Sequence, residues 1–205
     1  MNSSLRVFLN DLHTAGAAHD AAEPNRLLKY RNLEPETAGL LGLVIRMAGA
    51  RRVVEIGTSN GYSTVVLADA VSDTDGRVVT VDTAPSDDAR ANLARADAAQ
   101  PGLVSRVEFR QQDGGAYLKT LADGSVDLLF LDSERPEYPG WWPHPLRVLR
   151  RGGVLAIDNV LSHPDEVAPF LALLARETGL VQSTFPIGKG LHLAWLRHAT
   201  SNSEL

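Results

Sequence analysis

The sequence has no cysteine, so neither disulfides nor thiolate metal ligands enter its structure or chemistry. No stretch approaches the ~20 apolar residues of a membrane-spanning helix. The opening residues, MNSSLRVFLNDLHTAG, lack the basic flank, apolar run and small-residue cleavage site of a secretory leader, so the expected location is the cytoplasm. A basic excess is missing as well. The net charge of −5 excludes polyelectrolyte attraction to nucleic acid or an anionic membrane and suits a small, neutral or partly cationic ligand. Repeats, low-complexity tracts and interdomain linkers are absent. What is present is 44% hydrophobic content over 205 residues, enough for one substantial core. The expectation is a single domain over 1–205, with a helical region at 1–50, a core at 51–198 and a tail at 199–205 whose final SNSEL is disordered.

Through the middle of the chain two kinds of segment alternate. Short apolar, β-branched runs at 52–56, 77–81, 104–110, 126–131 and 154–157 predict strands buried on both faces, because they are apolar continuously rather than alternately. Between them, 62–71, 86–99, 115–121 and 142–149 have helical length and composition, and 164–178 follows the fifth strand. Alternation of this kind predicts a parallel sheet with helices on both faces. Upstream, Glu34-Pro35-Glu36 reads as a first helical turn whose Leu40, Leu41, Val44, Ile45 and Met47 pack on the sheet. The end of the chain breaks the pattern. Strand-like runs at 180–185 and 191–196 are separated only by Pro186-Ile187-Gly188-Lys189-Gly190, a connection suited to antiparallel neighbours. The fold class is therefore α/β, a Rossmann-like doubly wound sheet of five parallel strands closed by an antiparallel hairpin.

The run VVEIGTSNGYST joins the first strand to a helix. Gly57 and Gly61 permit a sharp turn and close backbone approach to a ligand, and the helix start directs free N–H groups at it. A dinucleotide fingerprint requires G-x-G-x-x-G around a pyrophosphate, whereas the spacing here is E-x-G-x-x-x-G. Glu55 beside a pyrophosphate would repel it; beside a cationic methionine moiety it would attract. A nicotinamide dehydrogenase is accordingly the last of the candidate functions.

EIGTSNGYST resembles the first motif of class I methyltransferases, specifically the small metal-dependent O-methyltransferases typified by catechol and caffeoyl-CoA O-methyltransferases. The similarity runs from about Glu34 to Leu196 and implies strand order 3-2-1-4-5-7-6. It implies that Glu55, Gly57, Ser59, Gly61 and Ser63 surround the methionine portion of S-adenosylmethionine. Asp82, ending the second strand, would accept the ribose hydroxyls, a role that serves any adenosine cofactor. Asp113 would contact adenine; its other reading is the N-cap of the next helix.

Two further acidic motifs bear on the reaction. Asp132 ends the fourth strand in LLFLDSERPEY, and Asp158-Asn159 end the fifth in GGVLAIDNV. Neighbouring strands lie about 4.8 Å apart, and carboxylates brought that close repel unless a cation lies between them. The resemblance implies that Asp132, Asp158 and Asn159 hold Mg²⁺ or a similar hard divalent ion, with Asp132 also beside the cofactor. It further implies methyl transfer to a hydroxyl of a small catechol-like or phenolic acceptor, and allows a homodimer.

The sequence departs from the family pattern in two places. Where many members carry a Lys assigned as general base, this chain has Arg135, which cannot give up its proton. Arg135 could hold an anionic substrate group or stabilise a phenolate. Glu134 and His163 are candidate replacement bases, and His163 also reads as a helix-start residue before Pro164. The stretch after Asp158-Asn159 is short as well, leaving a more open pocket or one covered by an N-terminal helix or a partner subunit. Trp141 or Trp142 could stack on a flat substrate or pack in the core. Tyr62 and Tyr138 read as core, and Lys29 and Tyr30 fall near the substrate mouth. The remaining alternatives are metal-independent methylation of an amine or carboxylate, and a cofactor-binding protein that has lost catalysis.

Overall fold

The computed structural model describes residues 1–198, and the expected disordered tail lies outside them. One seven-stranded sheet of order β3-β2-β1-β4-β5-β7-β6 organises the chain. Its strands are β1 (Arg52–Ile56), β2 (Arg77–Asp82), β3 (Val107–Gln111), β4 (Val126–Leu131), β5 (Leu149–Ile157), β6 (Leu180–Phe185) and β7 (Leu191–Leu196). The first five pair in parallel; β7 runs antiparallel to β5, and β6 antiparallel to β7. The helices are α1 (Ser3–Ala22), α2 (Pro35–Met47), α3 (Tyr62–Ser72), α4 (Asp87–Ala99), α5 (Gly114–Thr120), α6 (His144–Arg147) and α7 (Pro164–Leu174). Among the described residues, no helix is long and apolar enough to cross a membrane.

Period-two alternation along the central strands divides the core between the two faces of the sheet. Val53, Val78, Leu128, Phe130, Val154 and Ala156 pack with α1, α2 and α3, whereas Val54, Val81, Leu129, Leu131, Leu155 and Ile157 pack with Tyr138, Trp141 and α7. Every residue of β4 is buried. Each fully buried aliphatic side chain contributes about 1.5–3 kcal/mol, so the sheet centre carries much of the stability. The N-terminal helix joins this core through Leu5, Leu9, Leu12 and Gly16, spaced on one helical face, and is capped by Asn2, whose side chain accepts the Leu5 N–H at 2.8 Å.

Four expectations need correction. Residues 104–106 form a 3₁₀ turn and not the start of β3, because Asp97 Oδ1 draws in the N–H groups of Gly102 and Val104 at 3.0 and 2.9 Å. β3 itself is an edge strand, largely unburied, whose Phe109 ring is covered by Arg90. The expected helix over 142–149 shrinks to α6. Pro136, Pro139, Pro143 and Pro145 remove the N–H donors a longer helix needs, so 135–141 coils as 3₁₀ and Leu149 joins β5 opposite Val126. Finally, α7 stops at Leu174, since 175–179 must turn the chain into β6.

Candidate functional site

Strand order reverses direction between β1 and β4, and the carboxyl ends of these strands open a crevice there, the usual ligand position in open α/β sheets. It is a cavity of about 420 Å³. Gly57, with φ 108°, leaves β1 so close to β4 that any Cβ would collide with the Asp132 carbonyl. Gly61, at φ 82°, lies against Ala89 of α4 and starts α3 without a side-chain cap. Between them Ser59 adopts φ 47°, a left-handed conformation rare for serine. Asp82 fastens this loop: Oδ2 accepts the N–H groups of Thr58 and Ser59 at 2.8 and 3.1 Å, and Oδ1 that of Ala84 at 2.9 Å.

Gly57, Ser59, Ser63, Asp82 and Asp113 all line the cavity, on the same side as Trp141. Asp113 also caps α5 through Ala116 N–H, its other expected role, while remaining in the cavity wall. Trp141 is 6% exposed and stands against Gly114 and Gly115, whereas Trp142 packs edge-on to Phe170 outside the cavity. Glu55 does not line the wall. It is fully buried behind the glycine loop, with Oε2 accepting from Thr64 Oγ1 at 2.5 Å and Oε1 left without a partner. Burial pushes its carboxyl up to about 7.

The acidic tips of β4 and β5 come together as the register requires, with Leu131 opposite Ile157. Asn159 Nδ2 donates to Asp132 Oδ1 at 3.2 Å, and Asn159 itself holds φ 64°. Asp132 and Asn159 line the cavity; Asp158 is 2% exposed just behind it, its Oδ1 unpartnered. Burial pushes Asp132 up to about 6, against the downward pull of Lys189 and Arg135. Burial and the Asp132 charge together push Asp158 up to about 8. Two carboxyls and the Asn159 amide are thus assembled, the amide N–H turned to Asp132 and its oxygen to Ser162, with Asp158 Oδ1 unused. Among the described residues no group of three or more His, Cys, Asp or Glu side chains is placed to hold a metal.

Arg135 is 4% exposed; its Nε donates to Glu166 Oε2 at 2.9 Å, its Nη2 lies 2.8 Å from the same oxygen, and its Nη1 donates to the Ser133 carbonyl at 3.5 Å. The guanidinium is therefore anchored to α7 at the cavity wall. His163 lies at the rim, where its Nδ1 meets Ser162 Oγ at 2.8 Å and its backbone begins α7, so both of its expected positions are realised at once. Glu134 is taken up by Arg26 and Arg31. Tyr138 is fully buried and its hydroxyl bridges the Ser133 N–H and carbonyl. Tyr62 is core as well, though it touches the cavity.

Two elements of the wall were not singled out from sequence. The segment between α1 and α2 straps the cavity: Ser59 Oγ donates to the Tyr30 carbonyl at 2.8 Å, Tyr30 Oη to Asp88 at 3.0 Å, and Arg26 and Arg31 reach Glu134. Lys29 and Tyr30 belong to it, as their expected place near the mouth suggested. The second is Lys189, at the tip of the β6–β7 hairpin, which a reading of that turn for its glycines alone passes over.

A parallel sheet with a glycine loop after β1, an acid at the tip of β2 and a crevice at the β1–β4 reversal defines an α/β enzyme of the class that binds adenosine-containing cofactors. A sequence profile of the O-methyltransferase family matches residues 8–179, and the chain belongs to that family. It is 36% identical over 150 residues to a catechol O-methyltransferase of Mycobacterium tuberculosis, covering 73% of this chain and 64% of the relative. The first four curated relatives are matched over only 46–64% of their length. The fold superposes on the O-methyltransferase TomG of Streptomyces achromogenes in complex with SAM, at TM-score 0.74 and 26% identity, covering 97% and 91% of the two chains. An O-methyltransferase from Bacillus cereus in complex with SAH gives TM-score 0.75 and 26% identity, covering 96% and 92%.

Proposed function

We propose that the protein is an S-adenosylmethionine-dependent O-methyltransferase acting on a hydroxyl of a small catechol-like or phenolic acceptor, assisted by a divalent metal. The observation that carries this reading is the convergence of Asp132, Asp158 and Asn159 at the crevice, with Asp158 Oδ1 buried and unpartnered. A buried carboxylate oxygen without a donor is costly unless a cation satisfies it. Oxygen ligands of this kind fit Mg²⁺ or a similar hard ion. Such an ion would supply Lewis acidity, lowering the pKa of the acceptor hydroxyl.

The residues around S-adenosylmethionine would be those of the glycine loop, with Asp82 at the ribose and Asp113 and Trp141 at the adenine. The unpartnered Glu55 Oε1 fits a cationic group beyond the loop, and its negative charge would help retain the methionine ammonium. In the transfer, the acceptor oxygen attacks the sulfonium methyl, an O–C bond forms, and the C–S pair returns to sulfur. The hydroxyl proton leaves through the open mouth to water. Arg135 keeps its protons and braces the wall through Glu166.

A second reading, methyl transfer without metal, draws on one observation: Lys189 lines the same cavity, and its positive charge opposes the rise of the Asp132 and Asp158 carboxyls. Calorimetry with S-adenosylmethionine and with NAD, followed by mass spectrometry of a phenolic acceptor panel, tests the proposal. Binding of S-adenosylmethionine alone and a mass gain of one methyl on a catechol support it. Binding of NAD, or methylation confined to amines or carboxylates, overturns it.

A further inference from the structure

The chain has three lysines, Lys29, Lys119 and Lys189. Lys29 and Lys189 both line the cavity, and Lys189 sits on the hairpin that is hydrogen-bonded to residues 160–162, just past Asp158-Asn159. Its position is fixed by the backbone on two sides. The Lys189 carbonyl accepts the N–H groups of Leu161 and Ser162 at 3.0 and 3.1 Å, just past Asp158-Asn159, and the Gly190 carbonyl accepts that of Val160 at 3.1 Å. Gly188, at φ 52°, lies against Glu34 and Thr37 at the start of α2; a Cβ there would come within 3.0 Å of Glu34. Gly190, at φ 95°, lies against Leu161; a Cβ there would come within 2.8 Å of the Leu161 nitrogen. Flanked by two glycines in close contact, the hairpin tip has little freedom to move its one cation. Lys189 Nζ then pairs with Glu34 Oε1 at 2.7 Å, which steers a half-exposed side chain toward the cavity wall.

Two guanidinium groups also act on Asp132, but Arg135 is held by Glu166 and Arg31 pairs with Glu134 at 3.5 Å. The ammonium left to meet an incoming oxygen on this side is that of Lys189. We propose that Lys189 is an acceptor-binding residue: held by Glu34 beside the Asp132–Asp158 pair, it donates a hydrogen bond to the acceptor oxygen and holds it as its negative charge develops. Lys189 keeps its own protons throughout, and the methyl and the hydroxyl proton move as described above. Such a donor favours loss of the hydroxyl proton and so raises the fraction of acceptor present as the nucleophilic oxyanion; single donors to an oxyanion in acyl transfer are worth about 10²–10³-fold. The role rests on the hydroxyl-acceptor reading, but does not depend on whether a metal is bound.

The test uses full-length protein, S-adenosylhomocysteine and 4-nitrocatechol, whose absorbance reports its ionised form, alongside turnover with S-adenosylmethionine. Lys189→Met should weaken 4-nitrocatechol binding at least tenfold, shift the appearance of the bound probe's ionised-form band to higher pH and lower kcat/KM about 100-fold. S-adenosylhomocysteine affinity should stay within threefold. Mn²⁺ binding followed by calorimetry should strengthen severalfold, because a repelling ammonium is gone. Lys189→Arg should recover part of the spectral band and of kcat/KM, as a purely packing role would not. Wild-type binding and turnover with an equally competent Lys189→Met would overturn the Lys189 role alone. A wild type that neither binds nor methylates 4-nitrocatechol would overturn that role together with the hydroxyl-acceptor reading.

Discussion

Asn159 donates its side-chain amide to Asp132 Oδ1 at 3.2 Å, joining the tips of β4 and β5 across the crevice. To do so Asn159 occupies φ 64°, a conformation most residues avoid but asparagine tolerates. Strain at such a point persists where the surroundings over-determine it, and such sites cluster at ligand clamps. The same turn leaves Asp158 buried beside Asp132 with one oxygen unpartnered.

Removing that carboxylate separates the two halves of the site. Asp158→Ala should abolish catechol methylation while leaving S-adenosylmethionine affinity within a few fold, measured by calorimetry on the same preparation. An equal loss of both would place Asp158 on the cofactor side.

The raised carboxyls give a stability signature with a definite sign. A carboxyl whose folded pKa lies above its unfolded value binds more protons when folded, so its contribution is most favourable below the unfolded pKa and is lost as pH rises toward the folded one. For Asp158 that window runs from about 4 to about 8. Metal-free protein should therefore lose Tm across this range, and added Mg²⁺ should restore more Tm at pH 8 than at pH 6. Each kcal/mol recovered corresponds to about 2–4 °C for a chain of this size. Asp158→Asn should flatten both trends; thermal scans at the two pH values, with and without Mg²⁺, check this.

Gly57 is fixed by two constraints at once, its φ of 108° and the Asp132 carbonyl in the path of any Cβ. Gly57→Ala should lower S-adenosylmethionine affinity at least tenfold and reduce Tm by several degrees. Wild-type binding in this variant would mean that the β1–β4 approach is not what shapes the loop.

Arg135 spans Glu166 and the Ser133 carbonyl with a planar guanidinium that lysine cannot reproduce. Arg135→Lys should cost about 1 kcal/mol of stability, readable as a Tm decrease, while kcat stays within a few fold. A collapse in kcat at unchanged stability would instead place the guanidinium on the substrate.

Much of this architecture was legible in the chain because it rests on local chemistry. Continuous apolar runs gave the central strands, Gly57 and Gly61 gave the turn, and Asp82, Asp132 and Asp158 were findable as single acids ending apolar runs. Proline chemistry was under-read: four prolines between 136 and 145 forbid the helix that the apolar residues there suggested. β3 was started too early because Val104 looks like strand, while the side chain of Asp97, at the end of α4, holds its N–H in a turn. Glu55 was assigned to the cofactor wall, yet alternation places it with Val53 on the α3 side, behind the loop. Lys189 and Glu34 were read as a turn residue and a helix-start acid. Their ion pair spans 155 positions of sequence and exists only once the hairpin folds back onto α2.

The central claim is metal-assisted methylation of a hydroxyl at the Asp132–Asp158–Asn159 cluster. Its most direct measurement is the rate of methyl transfer from S-adenosylmethionine to catechol in protein stripped with EDTA, then titrated with Mg²⁺. We predict a rate at least 100-fold lower after stripping, restored by Mg²⁺ in wild type and not in Asp158→Ala. An undiminished rate in EDTA at saturating cofactor would contradict the account.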